Sequence, residues 1–241
     1  MPIKYINILA FALMVFVNYL ANALPINGKT TGQISAAYPN LFAPAGITFS
    51  IWGIIYLMLM VFVLLQFREE NKQMIAALGW LFALSCVLNA TWIFAWHYDR
   101  MFWSLILMLA LLATLVVINQ KLMPFPAGLS RAVFGIYLGW ICIATIANVT
   151  VLLVKYQWGG WGIPDEVWTI VMIAAGCLIT AAVVYKLENP FAGLAVIWAF
   201  TGIILKRQQD VPSIVIAAGI AIAVSLLMVI ISFSRQLFPT A

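Results

Sequence analysis

Long apolar runs, separated by short polar segments that contain glycine or proline, fill most of the chain. A membrane-spanning helix needs about 20 mostly apolar residues, because the hydrocarbon core is about 30 Å thick. By this criterion the sequence predicts eight spans: Ile6–Leu24, Gly46–Gln66, Met74–Trp96, Phe102–Ile118, Ala132–Val154, Val167–Tyr185, Phe191–Leu205 and Ile214–Phe233. The seventh covers only about 22 Å, so it is either re-entrant or extends into its flanks.

The composition supports this interpretation. Apolar residues make up 66% of the chain, charged residues only 8%, and the mean hydropathy is +1.10, whereas about 25% of a typical soluble domain is charged. Backbone groups in lipid must be paired within the segment, which favours helices. The sequence therefore predicts an all-α integral membrane protein. Its net charge of +5 fits topology and anionic lipid, so we expect the lipid bilayer as a partner and no nucleic acid.

The charged side chains lie outside the predicted spans or at their ends. A proton-coupled pump usually carries ionisable groups deep in the membrane, so this distribution counts against that class. With eight spans, both termini lie on one side, and that side carries seven of the 12 bases. This small excess favours cytoplasmic termini, in what we predict to be a bacterial cytoplasmic membrane.

No known catalytic or metal-binding motif occurs in the chain, neither GxSxG, a Walker loop, HExxH nor CxxC. Cys86, Cys142 and Cys177 lie within apolar runs, which is typical of small buried hydrophobic residues. His97 has no second histidine or cysteine near it in the sequence, which counts against a metal site. We therefore predict no catalytic residue, no metal and no required cofactor.

The stretch Pro39–Tyr56 joins a loop rich in proline and glycine to an apolar run. Proline and glycine interrupt the chain up to Gly46, so a helix is predicted to begin there. Trp52 and Tyr56 are four residues apart and share one face of that helix. We assign Pro39, Phe42 and Pro44 to a lid loop over this face.

Amides and large aromatic side chains recur at helical spacing in three other spans. The third carries Asn89, Trp92 and Trp96 on one face, the fifth carries Tyr137, Trp140, Ala144 and Asn148, and the first carries Asn18 and Asn22. Because successive spans alternate in direction, one half of the membrane holds the set Asn22, Trp52, Asn89, Trp92 and Asn148. Buried amides need partners, so the sequence predicts a polar-rimmed aromatic pocket beneath the loop Pro25–Ala45.

Each of these residues also has a purely structural interpretation. Tryptophan near the end of a span is typical of the interfacial belt, which we favour for five positions: Trp96, Trp103, Trp158, Trp161 and Trp168. Asparagine in a membrane helix usually joins helices, which we favour for Asn89 and Asn148. Trp140 lies too deep for the belt, and core packing and pocket lining both remain open for it.

Three motifs resemble the TspO/MBR family, the tryptophan-rich sensory proteins related to the mitochondrial translocator protein. The first is the proline-containing loop followed by Trp52 and Tyr56, similar to W-x-x-x-[YF], and the second is L-N-A-T-W at 88–92. The third is Y-L-G-W at 137–140 with Ala144, Thr145 and Asn148, similar to Y-L-x-W-x-x-x-A-T-x-x-N. The chain departs from the family pattern at Leu41, usually tryptophan, and at Ile136, usually proline.

The resemblance covers roughly residues 5–156 and implies a five-helix bundle with a ligand cavity closed by the loop between the first two helices. It divides the chain into a TspO-like core, 1–156, and an extension of about three helices, 157–241. Members of the family bind porphyrins, haem-like tetrapyrroles, sterols and synthetic aromatic ligands, commonly as homodimers. The family's cavity positions correspond to Trp140, Ala144 and Asn148. The predicted ligand-binding set is Trp52, Tyr56, Asn89, Trp92, Tyr137, Trp140, Ala144 and Asn148.

The leading functional prediction is a multi-pass ligand-binding or sensory membrane protein that takes a planar hydrophobic ligand such as a porphyrin. The alternative is a transporter, or a translocator of lipids or small hydrophobic molecules, in which the added helices complete a path across the membrane. A third class is enzymatic, since light-driven breakdown of bound porphyrin is proposed within the family. That reaction does not require a catalytic base, which suits this sequence.

Overall fold

A computed structural model describes residues 2–237, and this part of the chain contains helices and turns but no strand. The ten α-helices of the described range are α1 Pro2–Ala23, α2 Thr31–Ala36, α3 Ile51–Leu65, α4 Lys72–Leu78, α5 Leu81–His97, α6 Met101–Leu122, α7 Leu129–Lys155, α8 Asp165–Lys186, α9 Phe191–Arg207 and α10 Pro212–Leu237. The all-α prediction is confirmed. Residue 1 and residues 238–241, at the ends of the two predicted domains, lie outside the described range.

Six helical segments of the described chain are long and apolar enough to cross a membrane, and a bent pair of helices raises the number to seven. The seventh predicted span, Phe191–Leu205, corresponds to α9, which has 17 residues and is not among these segments. At about 1.5 Å per residue it is about 25 Å long, slightly short of the hydrocarbon core. The short 3₁₀ segment Gly46–Ser50 leads directly into α3, so the predicted helix start at Gly46 is confirmed.

The third predicted span, Met74–Trp96, is wrong as a single straight helix. The chain bends by 62° between the segment Glu69–Leu78 and α5. Gly79 ends α4 with φ of 52° and ψ of −126°, and its N–H donates to the carbonyl of Ile75. Glycine adopts such a positive φ without a steric penalty, and for this reason it commonly terminates helices. The prediction treated Gly79 only as part of an apolar run.

Helix α7 is the central element, and it packs against α3, α6, α8 and α9. It crosses α9 at Gly139, where a Cβ atom would overlap the backbone carbonyl of Ala192. Only glycine allows the two backbones to approach this closely, as is common between membrane helices. The helices beyond residue 157 therefore pack directly against the predicted core.

A buried polar network also joins the two predicted parts of the chain. The Asn189 side-chain amide donates to the Asn119 side chain and to the Arg131 carbonyl, both at 2.8 Å. The Arg131 guanidinium donates to the carbonyls of Leu187 and Glu188. Buried polar groups are costly without partners, so this network fixes the connection between α8 and α9 onto α6 and α7.

Candidate functional site

The loop between α1 and α3, residues Pro25–Ala45, is called the lid loop below, and its first half is bound to the end of α5. The His97 ring contacts the Ile26 carbonyl through Nδ1 at 3.0 Å and the Thr31 hydroxyl through Nε2 at 3.1 Å. A carbonyl only accepts, so Nδ1 is the protonated nitrogen and Nε2 can accept from Thr31. The Trp96 indole N–H donates to the Thr31 carbonyl at 3.3 Å.

The second half of the lid loop is bound to α9, which belongs to the predicted extension. The Ala45 N–H donates to the Gly202 carbonyl, and the Trp198 indole N–H donates to the Thr48 carbonyl, each at 2.9 Å. A Cβ on Gly202 would overlap the Thr48 hydroxyl. The chain at the end of the lid loop therefore lies directly on the α9 backbone.

Arg207, at the end of α9, adds two further bonds to the lid loop. Its guanidinium donates to the Asn40 carbonyl at 2.7 Å and to the Leu41 carbonyl at 3.2 Å, and it pairs with Asp210 at 3.0 Å. The Arg207 side chain is only 12% exposed. We call the contacts of Arg207, Trp198 and Gly202 with the lid loop and the adjoining Thr48 the α9 latch.

A cavity of about 50 Å³ lies beneath the latched loop. Seven of the predicted site and lid residues line it: Phe42, Pro44, Trp52, Trp92, Trp140, Ala144 and Asn148. Several other lining residues were not in the predicted site: Asn40, Phe49, Trp96, Ala199 and Ile203. Two of these, Ala199 and Ile203, belong to α9. The extension therefore forms part of the wall of this cavity, which we call the aromatic cavity.

Trp52 is at the centre of the aromatic side chains around the cavity. Its ring stacks on Tyr56 with centroids 5.5 Å apart, meets Trp140 edge to face at 6.0 Å, and lies 6.4 Å from Trp92. Trp92 in turn stacks on Trp96 at 5.6 Å. Aromatic pairs in these arrangements contribute about 0.5–1.5 kcal/mol each beyond the area that they bury.

Two of the predicted binding residues lie between helices and do not line the aromatic cavity. Asn89 accepts from the Asn18 side-chain amide at 2.8 Å and donates to the Tyr137 hydroxyl at 3.0 Å, with all three side chains buried. These bonds connect α1, α5 and α7. Asn89 therefore joins helices, as the structural interpretation of this residue predicts, and Tyr137 belongs to the same hydrogen-bonded group.

The remaining predicted residues lie at neighbouring positions. Tyr56 lines a second cavity of about 260 Å³, together with Asn18, Asn22 and Trp52. Pro39 lines a separate pocket beside α7 and α8. Asn22 was expected to face the bundle, but it is exposed and bonds the Asn18 carbonyl of its own helix at 3.0 Å. Such a local bond satisfies the amide without a partner helix.

Three buried polar atoms beside the aromatic cavity have no hydrogen-bond partner within the described chain: the indole nitrogens of Trp92 and Trp140 and the amide oxygen of Asn148. The amide nitrogen of Asn148 donates to the Ser104 hydroxyl at 2.7 Å. Unpaired buried polar groups each cost about 1–3 kcal/mol. Two donors and one acceptor are thus available around this cavity.

The predicted belt position is wrong for Trp96, which is only 5% exposed and lines the aromatic cavity. The signal was present, because Trp96 lies one turn after Trp92 on the same face of α5. Trp103 and Trp161 are exposed, as belt residues are. No sequence signal links Ala199 and Ile203 to a loop that lies more than 150 positions earlier.

The long apolar helices, and the aromatic cavity that a loop closes between them, define an all-helical integral membrane protein. The chain belongs to the family described as TSPO-like protein, whose model matches residues 4–231. The match continues past residue 156, where the predicted core ends, and includes α8, α9 and most of α10. Family membership indicates a membrane sensory or ligand-binding protein. No curated protein and no solved structure was matched by the chain.

Proposed function

We propose that this protein is a membrane sensor that binds a planar hydrophobic ligand, of the porphyrin or tetrapyrrole type, in the aromatic cavity. The observation that carries the proposal is the group of four indoles, Trp52, Trp92, Trp96 and Trp140, around one cavity beneath a loop. A flat apolar ligand buries a large area against such rings and adds stacking energy. A few polar groups at the edge of an apolar pocket commonly orient a ligand.

Ligand entry requires the lid loop to move. Pockets for drug-sized ligands have volumes of about 300–1,000 Å³, and the aromatic cavity has only about 50 Å³, enough for a few water molecules. Displacement of the lid loop would break the α9 latch and join the cavity to the space beside Asn18 and Tyr56. The free state is therefore closed, and binding carries the cost of opening.

The polar edge of the ligand has available partners. The indole N–H groups of Trp92 and Trp140 can donate to ligand oxygen or nitrogen atoms, and the Asn148 carbonyl can accept from a ligand N–H. Each bond would remove the cost of an unpaired buried group. The carboxyl groups on the rim of a protoporphyrin can accept from the two indole N–H groups, so a porphyrin fits this set better than a plain hydrocarbon.

Tryptophan-fluorescence quenching by protoporphyrin, measured on the full chain in detergent, tests the proposal. We expect saturable quenching, and a dissociation constant about two- to tenfold higher for Trp140→Phe, because one indole contact and its N–H are lost. Trp103→Phe, at an exposed tryptophan that does not line the cavity, is the matched control and should bind like the wild type. Equal and non-saturating quenching in all three proteins would mean partition into detergent and would refute the cavity assignment.

A transporter is the second candidate, and the observation that favours it is the α9 contribution to both the cavity wall and the lid. A cavity shared by two parts of a chain could open alternately if those parts moved relative to each other. A transporter would move porphyrin into sealed vesicles, and a sensor would show binding alone. Loss of porphyrin absorbance under light, abolished by Trp140→Phe, would instead indicate the enzymatic class.

A further inference from the structure

Three tryptophans form a separate group at the connection between α7 and α8. The ring centroids of Trp158 and Trp168 are 5.1 Å apart, those of Trp158 and Trp161 are 5.3 Å apart, and those of Trp161 and Trp168 are 5.8 Å apart. The rings meet at 58–79° and none is stacked in parallel. Interfacial anchoring needs no contact between the rings, so this mutual packing calls for another explanation.

A pocket of about 80 Å³ lies against this group. Its lining includes Trp158, Trp168 and Asp165, together with Asn40 and Leu41 of the lid loop. The size suits a group of four or five heavy atoms. The pocket thus combines two indole rings, one carboxylate and a segment of the lid loop.

Asp165 is exposed, and its carboxylate has no ion pair and no hydrogen bond within the described range, unlike the carboxylates of Asp99 and Asp210. Asp99 pairs with Lys155 at 2.8 Å, and Asp210 pairs with Arg207 at 3.0 Å. The Thr169 hydroxyl bonds the backbone carbonyl of Asp165, at 2.8 Å, and not its side chain. Asp165 lies in the first turn of α8, where a negative charge is favourable. This position leaves the carboxylate oxygens of Asp165 available to a ligand.

The backbone holds the outermost indole in an unfavourable conformation. Trp161 has φ of 54°, between Gly160 and Gly162, which also have positive φ, and a bulky residue rarely adopts this region. Its ring is 81% exposed on the protein surface, so packing against the rest of the protein does not compensate the strain. The Trp168 indole N–H donates to the Gly160 carbonyl at 3.0 Å and fixes the turn. Uncompensated strain of this kind is a common feature of ligand sites.

We propose that this pocket binds an organic cation, a quaternary ammonium group held by the faces of Trp158 and Trp168 and the carboxylate of Asp165. The negative face of an indole attracts cations, and grouped aromatic rings recognise quaternary ammonium ligands for this reason. The carboxylate excludes anions. A calcium or magnesium ion would require about six oxygen ligands, and the described residues contain no group of three acidic, histidine or cysteine side chains that could hold one.

Two sources could supply this group: a free quaternary ammonium solute, or the choline headgroup of a lipid. The site stands on its own residues and does not depend on the proposed porphyrin binding. It does share Asn40 with the aromatic cavity, since Asn40 lines both. A bound cation would therefore contact the same loop segment that Arg207 holds.

The test is calorimetric titration of the full chain, in maltoside detergent at constant ionic strength, with tetramethylammonium chloride. We expect saturable binding that is weakened about tenfold by Asp165→Asn and by Trp158→Leu, with Trp158→Phe in between because phenylalanine retains a weaker aromatic face. Trp103→Leu, which removes an exposed tryptophan elsewhere, should bind like the wild type. Thermal unfolding midpoints verify that each variant is folded.

The neutral isostere 3,3-dimethylbutan-1-ol separates charge from shape. It should bind at least about tenfold more weakly than choline, since it lacks the charge that the indoles and the carboxylate recognise. Equal binding of the two, no saturable heat from tetramethylammonium, or wild-type binding by both Asp165→Asn and Trp158→Leu would each overturn the proposal.

Short-chain lipids then identify the source. If the natural ligand is a lipid headgroup, monomeric dihexanoylphosphocholine should bind about tenfold more tightly than tetramethylammonium, and dihexanoylphosphoglycerol should not bind. If the ligand is a free solute, the phosphocholine should bind no better than tetramethylammonium. Either outcome supports the cation site, whereas equal binding of the phosphocholine and the phosphoglycerol would indicate contact of acyl chains with the protein and would refute it.

Discussion

At the scale of single residues, Asn89 shows how one amide can hold three helices together. It bonds both Asn18 and Tyr137. Asn89→Ala leaves the buried Tyr137 hydroxyl without a partner. The Asn18 amide nitrogen, by contrast, still donates to the Met14 carbonyl. The free energy of unfolding should fall by about 1–3 kcal/mol for the orphaned hydroxyl, measured as a lower thermal midpoint in detergent. Asn22→Ala is the control, because that exposed amide bonds only its own helix. A midpoint for Asn89→Ala as high as that of Asn22→Ala would contradict this role.

Tyr38 in the lid loop donates a hydrogen bond to the Asp99 carboxylate. This bond predicts that the stability of the protein depends on pH. Burial and the hydrogen bond to the Asp99 carboxylate raise the pKa of Tyr38 from 10.0 to about 12. Burial alone would raise the pKa of Asp99, but bonds from Lys155 and Tyr38 outweigh it, and the pKa lies below 3.8. A raised tyrosine pKa contributes stability that is complete below pH 10 and is lost as the pH rises through about 12.

The measurement is the difference in thermal midpoint between wild type and Tyr38→Phe, followed from neutral pH to pH 12. The wild type should be the more stable protein at neutral pH, and its advantage should shrink above pH 10. Tyr156→Phe, at a tyrosine that is 67% exposed, should show no advantage at any pH. If the difference in thermal midpoint stayed constant over this pH range, the hydrogen bond from the Tyr38 hydroxyl would not be what stabilises the lid loop.

At the scale of elements, the α9 latch determines how easily the lid loop opens. Arg207→Ala removes a charged group that donates to two loop carbonyls, and bonds to charged groups contribute about 1.5–3 kcal/mol. Amide hydrogen exchange in the segment 38–48 should therefore become about tenfold faster or more. Lys206→Ala removes the adjacent exposed base and should leave exchange unchanged. Equal rates in both variants would show that the latch does not limit opening.

The elements also show what the sequence can reveal. Hydrophobic runs locate the helices, because lipid requires about 20 apolar residues regardless of tertiary contacts. Helical spacing found Trp92, Trp140 and Asn148, since residues on one face share a neighbour. The cavity residue Ala199 escaped prediction because it depends on how helices that are distant in sequence pack together. The bend at Gly79 had a local signal, the glycine itself, which commonly terminates a helix.

At the scale of the whole molecule, the division into a core and an extension was predicted from a resemblance that ended near residue 156. The family match runs through residue 231. Residues on both sides of the predicted boundary meet at Gly139 and Ala192, in the Asn119–Asn189 network and at the lid. Packing at this density makes each side sensitive to a change of one methyl group in the other. The aromatic cavity is thus a product of both parts.

This coupling can be tested with one methyl group at two glycines. Gly139→Ala adds a Cβ that overlaps the Ala192 carbonyl, whereas Gly53→Ala adds one where nothing lies within 4 Å. Overpacking costs about 1–3 kcal/mol, so Gly139→Ala should lower the thermal midpoint, and separation of α9 from α7 should also speed amide exchange in the lid loop. Gly53→Ala should be neutral or slightly stabilising, since alanine favours a helix more than glycine does. If Gly139→Ala destabilised the protein but left exchange in the lid loop slow, the latch would be independent of the α7–α9 contact, and α9 would hold the loop through its own end alone.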